Sequence, residues 1–406
     1  MKARFLSYFC DAATFGLLFL AISPAAWAVT ETRIHEFNPG VDPAGLVADS
    51  AGTLYGTTGS DGFYRFGTVF QVRPSPYGIW TESTIYSFTG GSDGGAPEGV
   101  MTLDAEGNLY GTTQVGGSGS CNCGTVFELT RSASGLWTET TLYSFAGGAD
   151  GANPDYTNLV FDAAGNLYGV TYSGGSARAG TVFELSPQAG GGWTESVLYA
   201  FAGGTSDGAN PIGGVVFDTA GNLYGAALDG GSSECGSGCG GVFELSPQAG
   251  GGWKEQMIYF FKNGNDGAVP ISLLIIDPAG NLYGMTQTGG SGGCGTVYEL
   301  SPTGGGWNKK TLHQFTGSPD GCVPFLNMVR NAGSLYGITE AGGAMDDGAI
   351  FQITPAGTEQ TFFSFSGGND GSDPRSLILN SNRRAFFGVT FGLGSASSGV
   401  IFEISK

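Results

Sequence analysis

Short runs of β-branched and aromatic residues alternate along the chain with Gly, Asp, Asn, Pro and Ser, a pattern of strands and tight turns. One copy reads 99–104 (GVMTLD), 108–113 (NLYGTT), 124–129 (GTVFEL) and 140–145 (TTLYSF). None of these runs has the length or the 3.6-residue period of a helix. Large apolar groups fall on both faces, with Val126 on one side and Phe127 and Leu129 displaced from it by the strand alternation. Sheets of this kind must be covered on both faces.

The four-run unit repeats. Leu-Tyr-Gly sets the register at Tyr55, Tyr110, Tyr168, Tyr224, Tyr283 and Tyr336, with Phe387-Gly388 as a seventh variant, at spacings of 51–59 residues. Residues 182–193 (VFELSPQAGGGW) recur letter for letter at 242–253, which marks duplication rather than biased composition. Seven units of four strands predict an all-β fold, a seven-bladed β-propeller of four-stranded antiparallel blades. The segment 32–37 (TRIHEF) aligns with the fourth strand and 399–404 (GVIFEI) with the third. The N-terminal strand is therefore expected to close the last blade and remove an exposed sheet edge.

Residues 1–28 read as a secretory signal peptide. Lys2 and Arg4 precede an apolar stretch from Ala12 to Ile22, and Ala26-Trp27-Ala28 supplies a small-residue cleavage site. Residues 29–406 form the propeller, 378 residues at a formal charge of −20, and no later stretch is apolar enough to cross a membrane. The 75 glycines among 406 residues come without a collagen period, and the 40% hydrophobic share argues against disorder. A net charge of −19 for the whole chain excludes binding to a nucleic-acid backbone.

The strings G-N-L-Y-G-T-T, G-T-V-F-E-L, L-Y-S-F and G-G-x-D-G-x-x-P, recurring over 32–406, resemble the GloVer (Gloeo/Verruco) tandem-repeat family of exported bacterial proteins. The resemblance implies an extracellular repeat protein and brings no activity with it. Family members sometimes carry a C-terminal sorting signal, whereas this sequence reaches Lys406 directly after a strand, so secretion is expected, to the medium, the periplasm or the cell surface.

Candidate chemistry is sparse. His35 and His313, the only histidines, both stand at the Tyr143 position of the fourth strand and read as substituted strand residues, which leaves no Ser-His-Asp or H-E-x-x-H device. Six cysteines remain after residue 28, all in glycine-rich loops, and an even count in an exported chain favours disulfides. The expected pairs are Cys235 with Cys239, Cys294 with Cys322, and Cys121 with Cys123.

Trp80, Trp137, Trp193, Trp253 and Trp307 open the fourth strands and read as packing against their own blades rather than as sugar platforms. Glu128, Glu184, Glu244, Glu299 and Glu403, with Gln71 and Gln352, read as structural hydrogen-bonding groups of the third strand. Asp104, Asp162, Asp218 and Asp277 read as turn residues.

Asp93, Asp150, Asp207, Asp266, Asp320 and Asp370 of G-G-x-D-G-x-x-P, with Asp42 in the shortened first copy, form the candidate ligand set. They are expected near the axis, on the face that gathers the fourth-to-first and second-to-third loops, where an acidic ring would attract a cation or a cationic group. No cofactor is expected, calcium being the ion such a ring would take. The expected role is a monomeric, non-catalytic binding or scaffolding module for an extracellular glycan, protein or cation, with equivalent pockets in the blades. The alternative is a carbohydrate-active enzyme using loop carboxylates.

Overall fold

A computed structural model describes residues 29–75, 77–380, 384–392 and 399–405; the signal-peptide segment lies outside them. Seven antiparallel sheets follow one another, blades I to VI spanning 43–87, 102–144, 160–200, 208–260, 268–314 and 322–364. Blade VII combines Pro374–Asn380, Ala385–Thr390 and Val400–Ser405 with the N-terminal strand Thr30–Glu36. That strand pairs Thr32 with Glu403 and Glu36 with Val400, so the two ends of the chain meet in one sheet as the strand alignment requires.

Each blade packs on the next through the same aromatic contact. The Phe that ends a fourth strand meets the ring on the third strand of the following blade edge to face: Phe88 with Phe127 at 5.0 Å, Phe145 with Phe183 at 5.2 Å, and on around the ring. Phe37, from the N-terminal segment, makes the closing contact with Phe70 at 5.1 Å. Such pairs add about 0.5–1.5 kcal/mol each beyond their buried area. A second repeated contact sets the Gly before the third strand against the proline of the next blade. A Cβ at Gly124 would lie 2.7 Å from Pro154 Cδ, and one at Gly399 would lie 2.5 Å from Pro43 Cδ.

The glycine of Leu-Tyr-Gly has an equally local reason. A Cβ on Gly111 would stand 2.6 Å from Cζ of Phe127, which is fully buried. Gly111→Ala is expected to cost about 1–3 kcal/mol through overpacking, measured as a lower midpoint of urea unfolding with an unchanged slope.

First strands are less regular than the sequence pattern suggests. In blades II and III they reduce to Thr102–Leu103 and Val160–Phe161, and in blades I, IV, VI and VII their register shifts part-way along. These strands crowd one another at the centre of the ring. A Cβ at Gly99 would meet the Thr157 carbonyl oxygen at 2.6 Å, so regular pairing gives way to close backbone packing.

Candidate functional site

The loop aspartates sit at the outer strands, not at the axis. Each carboxylate accepts a backbone N–H from the residue where its own fourth strand ends: Thr89 for Asp93, Ala146 for Asp150, Ala202 for Asp207, Lys262 for Asp266, Thr316 for Asp320 and Ser366 for Asp370. The fourth-strand tyrosines Tyr86, Tyr143, Tyr199 and Tyr259 donate their hydroxyls to the same carboxylates. The expectation of an axial ring is thereby corrected. The aspartate folds the loop back onto its own fourth strand, and it is five residues later, at Glu98, Phe325 and Arg375, that the loop lines the central cavity. Asp42 departs from the series because it directly precedes Pro43 and lines the central cavity.

That cavity, about 290 Å³, opens on the axis among residues from five blades. Its walls include Asp42, Glu98, Tyr156, Phe325, Arg375 and Phe391. The seven repeats share a proline at 43, 97, 154, 211, 270, 324 and 374, but the residue after it differs: Ala44, Glu98, Asp155, Ile212, Ile271, Phe325 and Arg375. One side is acidic and another apolar, where Ile212, Ile271, Phe325 and Leu326 cluster with Tyr156 packed against them. The repeat symmetry is broken here. The position after the proline was the available signal in the sequence, since it varies where its neighbours repeat.

Electrostatics at the cavity follow from burial. Asp155 is pushed up to about 7, first by burial and then by the negative charge of Glu98, to which it hydrogen-bonds. Glu98 is raised as well, again chiefly by burial. Gln114 donates to Asp155 Oδ2 at 3.0 Å. Arg375 is already engaged, at 2.6 Å from Glu340 and 2.8 Å from Asp373, with Phe325 and Phe391 against its guanidinium at 4.7 and 4.8 Å. Its charge reaches Glu98 as well, drawing that carboxyl down against the effect of burial, so the cavity sets one guanidinium beside Asp42 and Glu98.

A second acidic pattern runs around the rim. The residue six positions before the closing Phe of a fourth strand lies beside the loop aspartate of the blade before: Glu139 by Asp93, Glu195 by Asp150, Glu255 by Asp207, Glu359 by Asp320 and Glu31 by Asp370. Burial raises all five, and Glu195 and Glu255 reach about 7 with the neighbouring aspartate as the next cause. In blade V this position is Lys309, paired with Asp266 at 2.9 Å.

The other repeated groups are structural. Trp80, Trp137, Trp253 and Trp307 pack edge-on against Phe387, Tyr55, Tyr168 and Tyr224, which belong to the preceding blade rather than to their own. Glu128 accepts from Tyr110, and Glu184, Glu244 and Glu299 accept from Ser186, Ser246 and Ser301. Asp104 caps its turn by accepting from the backbone N–H groups of Glu106 and Asn108. Disulfides join Cys121 to Cys123, Cys235 to Cys239 and Cys294 to Cys322. The last ties the second-to-third loop of blade V to the start of blade VI and so fastens two neighbouring blades.

A model of the Gloeobacter/Verrucomicrobia repeat matches residues 16–238 and 190–402. The chain belongs to this repeat family. Among solved structures it is similar to a catalytically inactive virginiamycin B lyase from Staphylococcus aureus crystallised with quinupristin, at 12% identity and a TM-score of 0.56, over 93% of this chain and 99% of that one. It is similar also to the extracellular domain of a candidate hybrid two-component system from B. thetaiotaomicron, at 14% identity and a TM-score of 0.56, over 92% of this chain and 43% of that one. A candidate 6-phosphogluconolactonase from Bacteroides uniformis aligns at 14% identity and a TM-score of 0.53, over 91% and 99%. At such identities the likeness is one of fold. No curated protein matches the chain. Among the described residues no helix is long and apolar enough to cross a membrane.

Proposed function

We propose that residues 29–406 are an extracellular, non-catalytic binding module whose ligand is a small organic cation with an apolar body, held in the axial cavity. The observation that carries this reading is the unlike set of residues after the prolines: in a chain that otherwise repeats itself, Glu98 joins Asp42 on an acidic side of the cavity, and Phe325 joins Tyr156, Leu326 and Phe391 on an apolar one. One axial site replaces the equivalent pockets expected of every blade. Ligands of this kind suit concave, largely apolar sites with a few convergent polar groups. Three disulfides and membership of a family of exported repeats support the oxidising, extracellular setting.

The carboxylate arrangement weighs against the carbohydrate-active alternative. Glycoside hydrolysis needs two carboxyl groups roughly 5 Å or more apart with the sugar between them. Glu98 and Asp155 instead act on each other closely enough to raise the Asp155 carboxyl, and of the two only Glu98 lines the cavity.

The test is calorimetry with phenethylamine, agmatine and putrescine against their neutral or carboxylate analogues. Glu98 of the cavity wall and Asp155 beside it are both raised by burial, Asp155 to about 7, so affinity for the amines is expected to rise from pH 6 to pH 8 as the pair ionises, with release of protons to the buffer. Asp155→Asn should remove this pH dependence and weaken binding. Amines that give no heat at any pH, or that bind the Asp155→Asn protein unchanged, would defeat the reading.

A further inference from the structure

We propose that the junction of blades V and VI is a divalent transition-metal site, with His313, Asp320 and Glu359 as its ligands. This site is at the rim, and it stands independently of the axial cavity.

Among the described residues, His313, Asp320 and Glu359 are the one group of three that brings His, Cys, Asp or Glu donors within 4.8 Å of one another. His313 Nε2 lies 3.1 Å from Asp320 Oδ2 and 4.0 Å from Glu359 Oε2. Donors placed at about 2.0–2.1 Å around a tetrahedral zinc ion are roughly 3.3 Å apart, so the trio needs only a small side-chain adjustment to close on one ion. The three groups are partly exposed and open onto a shallow cavity of about 500 Å³ beside Thr316, Thr361 and Ser364. An ion can enter, and a water can take the fourth position. Asp320 is held in place by the Thr316 N–H and hydroxyl, which accounts for one carboxylate oxygen, and Glu359 Oε1 is buried without a hydrogen-bond partner.

The other junctions act as internal controls. Blades I to IV carry a tyrosine where blade V has His313, and a phenol is a poor ligand beside two carboxylates. Replacing it by imidazole turns an acidic pair into a mixed nitrogen and oxygen set, which suits Zn²⁺ better than the all-oxygen preference of Ca²⁺ or Mg²⁺. One junction earlier the fold already seats a positive charge at this place. Lys309, the counterpart of Glu359, is only 5% exposed, and its ammonium donates to Asp266 Oδ1, the Asp266 carbonyl oxygen and Thr311 Oγ1. The junction therefore accommodates a buried cation where the chain supplies one, and at His313 a metal ion would take that role.

The experiment is titration of the metal-stripped, disulfide-intact protein with Zn²⁺, read by calorimetry and by a competing chromophoric chelator. Wild type is expected to take up one equivalent. His313→Tyr introduces the residue that blades I to IV carry, so it should fold normally, shown by an unchanged melting curve without metal, and lose that equivalent. Glu359→Gln should lose it too. Tyr199→His builds the same trio with Asp207 and Glu255 and should raise the stoichiometry to two. Absence of uptake by wild type, or retention of the equivalent by His313→Tyr, overturns the proposal.

Discussion

Deleting residues 29–37 should melt the whole ring at a much lower temperature, in one cooperative transition, rather than fray one blade. The N-terminal strand forms the outer edge of blade VII, and its removal leaves the outer side of Val400–Ser405 unpaired, with only Ala385–Thr390 still bonded on the inner side. It also removes Phe37, 8% exposed, which packs with Leu46, Leu54 and Phe70 of blade I and with Phe387 and Ile401 of blade VII. Loss of a buried Phe alone costs about 3–5 kcal/mol, against a total stability of roughly 5–15 kcal/mol for a typical protein. The Gly399 to Pro43 contact cannot hold the ring by itself once the aromatic bridge is gone. Differential scanning calorimetry decides the matter, with Phe37→Ala as the milder companion. A deletion variant melting at the wild-type temperature would show that the closing strand does not bear on stability.

The second large effect is on pH. Stability should fall as pH rises from 5 to 8, against the behaviour of a protein built on ionised, paired carboxylates. Asp155, Glu195, Glu255 and Glu340 are each raised to about 7 in the folded chain, in every case first by burial. The folded state thus binds more protons than the unfolded chain between about pH 4.5 and 7. The stability this contributes is complete below the unfolded pKa and is lost as pH climbs through the folded one.

Asp162 and Asp277 work the other way. Hydrogen bonds from Asn166 and Asn281 outweigh burial and lower their values, so their contribution holds above the usual carboxylate range and is lost only in more acidic solution. Maximal stability is accordingly expected near about pH 5. Glu195→Gln and Glu255→Gln, which mimic the protonated form, should flatten the alkaline side of a plot of melting temperature against pH. A profile rising from pH 5 to 8, or the same slope in both variants, would contradict the rim account.

The repeat register, the seven blades and the closing strand were legible in the sequence because they rest on local rules. Alternation of apolar residues makes the strands, a glycine is needed where Phe127 fills the space above Gly111, and aspartates such as Asp104 cap turns within four residues of themselves. Such constraints act over a few residues and return with every copy. What the tertiary structure decided is which copies meet, and where along a loop the axis lies. Asp93 and Glu98 are five residues apart, yet one folds the loop back onto its own fourth strand and the other lines the central cavity. Closing seven copies into a ring brings Glu98, Phe325 and Arg375, up to 277 residues apart, into one cavity. It also sets Glu359 of one blade against His313 of the blade before. No local pattern encodes either meeting, because each depends on contacts between blades that exist only once the ring has closed.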